Sequence, residues 1–247
     1  MLFNSPIFLF IFCPLLFTVY FLANKKQKNL VLLLFSLMFY AWAEPIFVLV
    51  VLGSALLDFW LGQVIFRNTK RTAKLAMTIG IIGNVGILVY FKYTNFLIDN
   101  LNQVLLAINF HSLPVLEILL PVGVSFVVFE KITYLVDIYR KVGKPAPSLL
   151  SYLVYVFLFP KLLAGPIIKY HDIEAQLLKR DEKLEDIIYG IKRFCYGLAK
   201  KVFIADTMGE MADIIFALPT NELGFGSAWL GVICFTLQIY FDFSGYL

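Results

Sequence analysis

Apolar runs of membrane-crossing length recur along this chain, separated by short loops in which lysine and arginine concentrate. Residues 5–23, 30–43, 45–66, 75–91, 121–139, 149–168 and 226–247 are each strongly hydrophobic. A helix needs roughly 20 apolar residues to cross a hydrocarbon core ~30 Å thick. Soluble domains carry about 25% charged residues, whereas this chain has 15% charged and 60% hydrophobic. The sequence therefore predicts an all-α, polytopic membrane protein with about six to eight transmembrane or re-entrant helices.

The loops predict an orientation. Lys25, Lys26 and Lys28 follow the first apolar run directly, with no Lys or Arg before it. Basic loops stay on the cytoplasmic side, so the N-terminus is expected outside and the first loop inside. Arg67, Lys70, Arg71 and Lys74 return the chain to the cytoplasm, residues 94–117 are free of Lys and Arg and read as an outer loop, and Arg140, Lys141 and Lys144 lie inside again. Glu44 and Pro45 divide the second and third runs, because proline discourages an unbroken helix. The count then fails. Residues 149–168 are apolar enough to cross, yet residues 169–201 hold eight Lys or Arg. Pro160, Gly165 and Pro166 interrupt the run, and broken backbone at membrane depth belongs where protein or a cavity surrounds it. The expectation is a re-entrant or strongly kinked element that brings the chain back to the cytoplasmic face, with a plain span and a basic outer loop as the alternative. After it, Ile191, Phe194, Cys195, Leu198 and Val202 share a helical face with Lys192, Arg193 and Lys200 off it, which predicts a basic interfacial helix on anionic headgroups, contact to the phosphates of a cytoplasmic acyl donor being the alternative use of its cations. Residues 207–225 read as a connector.

Polar residues inside apolar runs are the candidate site. In the last run Gln238, Asp242 and Gly245 are spaced four and three apart, so a helix carries them on one face. A carboxylate costs at least about 2.5 kcal/mol at mid-bilayer, which predicts that this face lines an internal tunnel; bonding to a neighbouring helix is the competing use of such groups. Glu130, deep in its run, joins them. Asp137, seven residues on, is expected to pair with Lys141, and Lys131 to point away from both. Cys13, Cys195 and Cys234 have no metal or disulfide spacing, and no basic block interleaved with aromatics suggests nucleic acid. His111 and His171 read as structural or solvent-exposed.

Several blocks together carry a resemblance. They are Phe3, Asn4 and Ser5 with Phe8 and Leu9; SLMFYAW at 36–42; PVGVSF at 121–126 with YLVDIYR at 134–140; Phe159 and Pro160 with LAGP at 163–166 and Asp172; KKVFIAD at 200–206; WLG at 229–231; and QIYFDFSGY at 238–246. In this order they resemble the membrane-bound O-acyltransferase family, in its alginate O-acetyltransferase branch. Ala43 departs from a second tryptophan, Val127 from tyrosine, Lys161 from glutamine or histidine, and Lys169 from arginine. The family's arginine-arginine-tryptophan-histidine block and its later tryptophan-histidine motif, which carries the catalytic histidine, have no counterpart up to Leu247. Residues 1–247 thus resemble the N-terminal part of a single membrane domain of this family.

The resemblance implies acyl transfer from a cytoplasmic thioester, acetyl-CoA or another, to a hydroxyl of an alginate-like exopolysaccharide. It implies a histidine base in a membrane tunnel, no bound cofactor or metal, extracytoplasmic polysaccharide-acetylating partner proteins, and the bacterial cytoplasmic (inner) membrane. Gln238, Asp242, Gly245, Gly165, Pro166 and Glu130 would position and support charge rather than move protons. The D-alanyl transfer protein of teichoic acid modification is the alternative within the superfamily, and a non-enzymatic polytopic transporter component the alternative outside it.

Overall fold

Helix is the only way for a lone segment to satisfy its own backbone groups in lipid, and the computed structural model is helical with no strand among the described residues. It describes residues 3–42, 44–108, 110–114, 118–121, 123–162, 167–219 and 222–246, the side chain of Leu162 excepted. A π-helical turn, Phe8–Phe12, leads into α1 (Cys13–Leu22), followed by α2 (Lys28–Ala41), α3 (Pro45–Arg67), α4 (Lys70–Ala107), α5 (Val124–Tyr139), α6 (Leu149–Phe157) and α7 (Phe159–Leu162). Then come α8 (Tyr170–Leu178), α9 (Leu184–Ala199), a π-helical segment Lys200–Ala205, α10 (Asp206–Phe216) and α11 (Phe225–Tyr246). Among the described residues α3, α4 and α11 are long and apolar enough to cross a membrane, and three shorter apolar stretches accompany them. The chain is a polytopic membrane protein.

The described residues form two compact units. One comprises Leu15–Leu163 and Ile167–Arg180, the other Leu2–Pro14 and Asp181–Leu247. In the first, α3 starts on Pro45 at its first turn, as the break at Glu44 predicts. Its neighbour α4 corrects the sequence reading. Residues 94–107 are not loop; they continue an unbroken helix of 38 residues, about 57 Å long at 1.5 Å per residue. No glycine or proline interrupts it after Gly86, and a run without such breakers has no cause to stop at the membrane edge. Paired asparagine bonds hold the returning strand of chain to it. Asn95 bonds the N–H and C=O of Ile118, and Asn102 those of Leu113.

Gly123, with φ 78°, starts α5 in a left-handed conformation that glycine adopts without strain. Its C-terminus closes on Lys141, φ 61°, with the Val142 N–H on the Asp137 carbonyl at 3.0 Å and the Lys141 N–H on that of Ile138 at 3.0 Å. This is the hydrogen-bond pattern of a Schellman cap. The Tyr134 hydroxyl accepts from the Ala146 N–H (3.0 Å), and Ser148 caps α6 through the Ser151 N–H (3.2 Å).

Nine residues long, α6 is buried on every side from Ser151 to Phe157, so it runs through protein rather than along lipid. By Tyr170 the chain is back at the end of α5, with the Tyr170 ring on Tyr134 and the His171 imidazole 3.3 Å from Asp137. The excursion returns to where it began, the geometry of a re-entrant element. Gln63 bonds the Ala146 carbonyl (2.9 Å), Asn29 that of Leu177 (3.1 Å), and Arg180 reaches Asn29 (2.6 Å). The ends of α2, α3, α5 and α8 that carry the basic loops are thereby gathered together.

The second unit corrects one expectation. Residues 207–225 are not a plain connector, since helical backbone continues from α9 through the π segment into α10 and ends only at Phe216. From Gly197 onward this helix pairs with α11 at glycines. A Cβ on Gly197 would collide with the Gly245 carbonyl, one on Gly209 would stand 2.7 Å from the Gln238 amide, and one on Gly231 2.9 Å from Ile215. Within this unit Asn4 lies 3.5 Å from Asp206 and Phe3 packs on Tyr246, and Lys200 and Lys201 are engaged by Ser244, Asp206 and Asp242.

Close approach at glycine makes a direct test. Gly197→Ala is expected to lower the melting midpoint of the detergent-solubilised protein, whereas Gly83→Ala and Gly86→Ala, with nothing within 4 Å of the added carbon, leave it level or raised. An unchanged midpoint for Gly197→Ala would show that the helices do not cross there.

Candidate functional site

Charged side chains buried in a membrane protein must find partners, and in the first unit two consecutive residues of α5 do so in opposite directions. Glu130 pairs with Lys161 of α7, whose ammonium also lies 4.1 Å from the centre of the Tyr155 ring. Lys131 pairs with Asp58 of α3 at 3.2 Å, both 1% exposed, and donates to Ser54 at 2.6 Å. The Asn84 amide of α4 completes the second group, donating to both Asp58 oxygens at 3.0 and 2.9 Å and to the Gly80 carbonyl at 2.9 Å. A side chain at Gly80 would run into Leu135, so glycine there lets α4 bring Asn84 within reach. These bonds tie α5 to α3, α4 and the far side of the re-entrant excursion.

Sequence reasoning identified Glu130 and missed the rest. Lys131 does point away from Glu130, but into protein, and Asp58 sits in a run read as plain span. Lys161 stood out only as a departure from the family's usual glutamine or histidine. Asp137 meets His171 rather than Lys141, because the left-handed residue at 141 ends the helix before the i,i+4 geometry forms. The second ring nitrogen of His171 lies 3.4 Å from Asp172, which gives that histidine a structural place. His111 is exposed. Gly165 and Pro166, expected in the tunnel, lie outside the described residues.

In the second unit Lys201 bridges Asp206 (2.7 Å) and Asp242 (2.6 Å). Its neighbour Lys200 donates to the Ser244 hydroxyl (2.8 Å) and carbonyl (3.3 Å), which places a cation at the last turn of α11. Consecutive lysines of an α-helix diverge by 100°; the wider π turn over Lys200–Ala205 allows both to reach α11. Gln238, Asp242 and Gly245 do share a face of α11, as their spacing predicts, and that face lies on neighbouring helix, with Gln238 against Gly209, Asp242 on Lys201 and Gly245 on Gly197. The observed contacts are interhelical ties. Lys192 and Arg193 are exposed on α9, Arg193 reaching the Tyr189 hydroxyl at 3.4 Å, while Lys200 is withdrawn into the unit.

Chemically, these clusters fix helices and hold charge in place. Among the described residues no group of three or more His, Cys, Asp or Glu able to hold a metal occurs.

Residues 140–247 match the model of MBOAT, the membrane-bound O-acyltransferase family. Similarity reaches over the whole chain. It is 39% identical across 250 aligned residues to the probable alginate O-acetylase AlgI of Pseudomonas aeruginosa and 40% to that of Azotobacter vinelandii. It is 33% identical across 279 to the peptidoglycan O-acetyltransferase of Helicobacter pylori. All of this chain aligns in each case, with 47%, 49% and 52% of the relative, so it spans about half the length of the curated relatives it matches.

Opposed buried pairs predict a specific pattern of stability. Lys131→Met strands Asp58 in apolar surroundings and is expected to cost about 3–5 kcal/mol. Adding Asp58→Leu removes the stranded charge and recovers most of that loss in a detergent unfolding titration; a double variant as weak as the single one would show that the pair does not govern stability.

Proposed function

We propose that this chain supplies the N-terminal portion of a membrane O-acyltransferase that acetylates hydroxyls of an alginate-like exopolysaccharide. The observation that carries the reading is the end-to-end similarity to alginate O-acetylases at 39–40% identity. A cytoplasmic thioester, acetyl-CoA or another, supplies the acetyl group, and extracytoplasmic proteins carry it onto the polymer. The protein resides in the bacterial cytoplasmic membrane with its N-terminus outside; the gathered basic loops of the first unit support that orientation.

Within such an enzyme the residues here are positioning groups. Glu130 with Lys161 holds the re-entrant excursion in place, and Gly165 and Pro166 are assigned to the same positioning set. Gln238, Asp242 and Gly245 set the angle of α11 against its partner helix, leaving proton transfer to a histidine of the family's later motif. A base near neutrality suits removal of the acceptor proton and its later return. The peptidoglycan O-acetyltransferase relative supports acetyl over D-alanyl as the group transferred.

A chimera tests this. In cells lacking their alginate O-acetylase, residues 1–247 grafted in place of the matching half of that enzyme are expected to restore acetyl ester on the polymer, and residues 1–247 alone to restore none. A chimera that reaches the membrane in normal amount yet leaves the polymer unacetylated would overturn the proposal, as would acetylation by residues 1–247 alone.

A further inference from the structure

Among the helices of the second unit, α9 leaves every residue unburied, although its sequence is amphipathic. Leu184, Ile188, Ile191 and Phe194 are 70%, 45%, 57% and 41% exposed. At 100° per residue they fall with Cys195 on one face, and Cys195 is exposed too. Glu185, Asp186, Tyr189, Arg193 and Tyr196 fall on the other. An apolar face of this size does not stay open to water.

Two observations identify what covers it. First, α9 runs up to the lipid-facing hairpin of its own unit, since Gly197, three residues before the π segment, lies against Gly245 of α11. From Phe225 to Tyr246, α11 is 22 residues, about 33 Å, enough to cross the hydrocarbon core. Gly245 is therefore near a bilayer edge, and the C-terminal end of α9 lies at that edge. Second, its charges cancel. Glu185 and Asp186 offset Lys192 and Arg193, and Lys200, which sequence reading assigned to the basic face, is bound to Ser244. The helix therefore has apolar area to bury and no net positive charge with which to seek anionic lipid.

We propose that α9 lies in the lipid interface with the Leu184, Ile188, Ile191, Phe194 and Cys195 face in the acyl boundary. Apolar burial holds it there, indifferent to headgroup charge. Tyr189 and Tyr196 then face the water side, where their hydroxyls stay solvated.

Cys195 is a built-in probe. In the chain with Cys13→Ala and Cys234→Ala, reconstituted in nanodiscs, a charged thiol reagent is expected to leave Cys195 unlabelled while labelling Tyr189→Cys in a Cys195→Ala background. A nitroxide at position 195 distinguishes the cover. Lipid is indicated by relaxation by oxygen without relaxation by a water-soluble nickel chelate. Protection from both would mean a protein surface and overturn the proposal, and so would labelling of Cys195 equal to that at position 189. Zwitterionic and anionic nanodiscs are expected to give the same pattern; protection confined to anionic lipid would show that charge, not apolar area, holds the helix.

Discussion

A charge removed from water inside a membrane protein destabilises the fold unless an opposite charge and hydrogen bonds meet it, and the first unit is arranged around two such charges on neighbouring residues. Glu130 and Lys131 leave α5 on different sides, so their partners must arrive from different elements. Lys161 comes from beyond the α6 excursion, while Asp58 and Asn84 come from α3 and α4. Such pairs add little net stability over apolar packing, but a register shift of any of these helices would strand one or more charges. The tyrosines around them, Tyr134, Tyr152, Tyr155 and Tyr170, pack ring on ring through the same region and occupy the volume that α6 would otherwise leave open.

The second unit meets the same constraint differently. Its cluster of Lys200, Lys201, Asp206 and Asp242 is partly exposed and lies toward the end of α11, where water or headgroups are near. Glycine, rather than buried charge, sets the closeness of the helices, at Gly197, Gly209, Gly231 and Gly245. Without a hydrophobic force between helices in lipid, close packing at small residues and polar bonds across the interface are the available sources of association, and this hairpin uses both along one line.

On the function proposed above, the consequence is a division of labour. The side chains seen here hold helices in place, and a rigid frame is what a general base elsewhere in a membrane domain needs, since small misplacements of reacting groups are costly. Gln238 and Asp242 contribute to that frame through the helices they join. Glu130 supplies the opposite charge that the buried Lys161 requires.

Membrane class, helical content, the break at Glu44 and Pro45, and the shared face of Gln238, Asp242 and Gly245 were all legible in the sequence, because hydrophobic length, proline position and helical period are local properties. Local signals also misled. The run of α4 past residue 94 looked like a loop from its polar residues. Only the tertiary structure decided the partners of Lys131, Lys161, Asp137 and Asp242. Periodicity tells which face of a helix a residue occupies, but the helix opposite that face is chosen by packing among segments far apart in the chain.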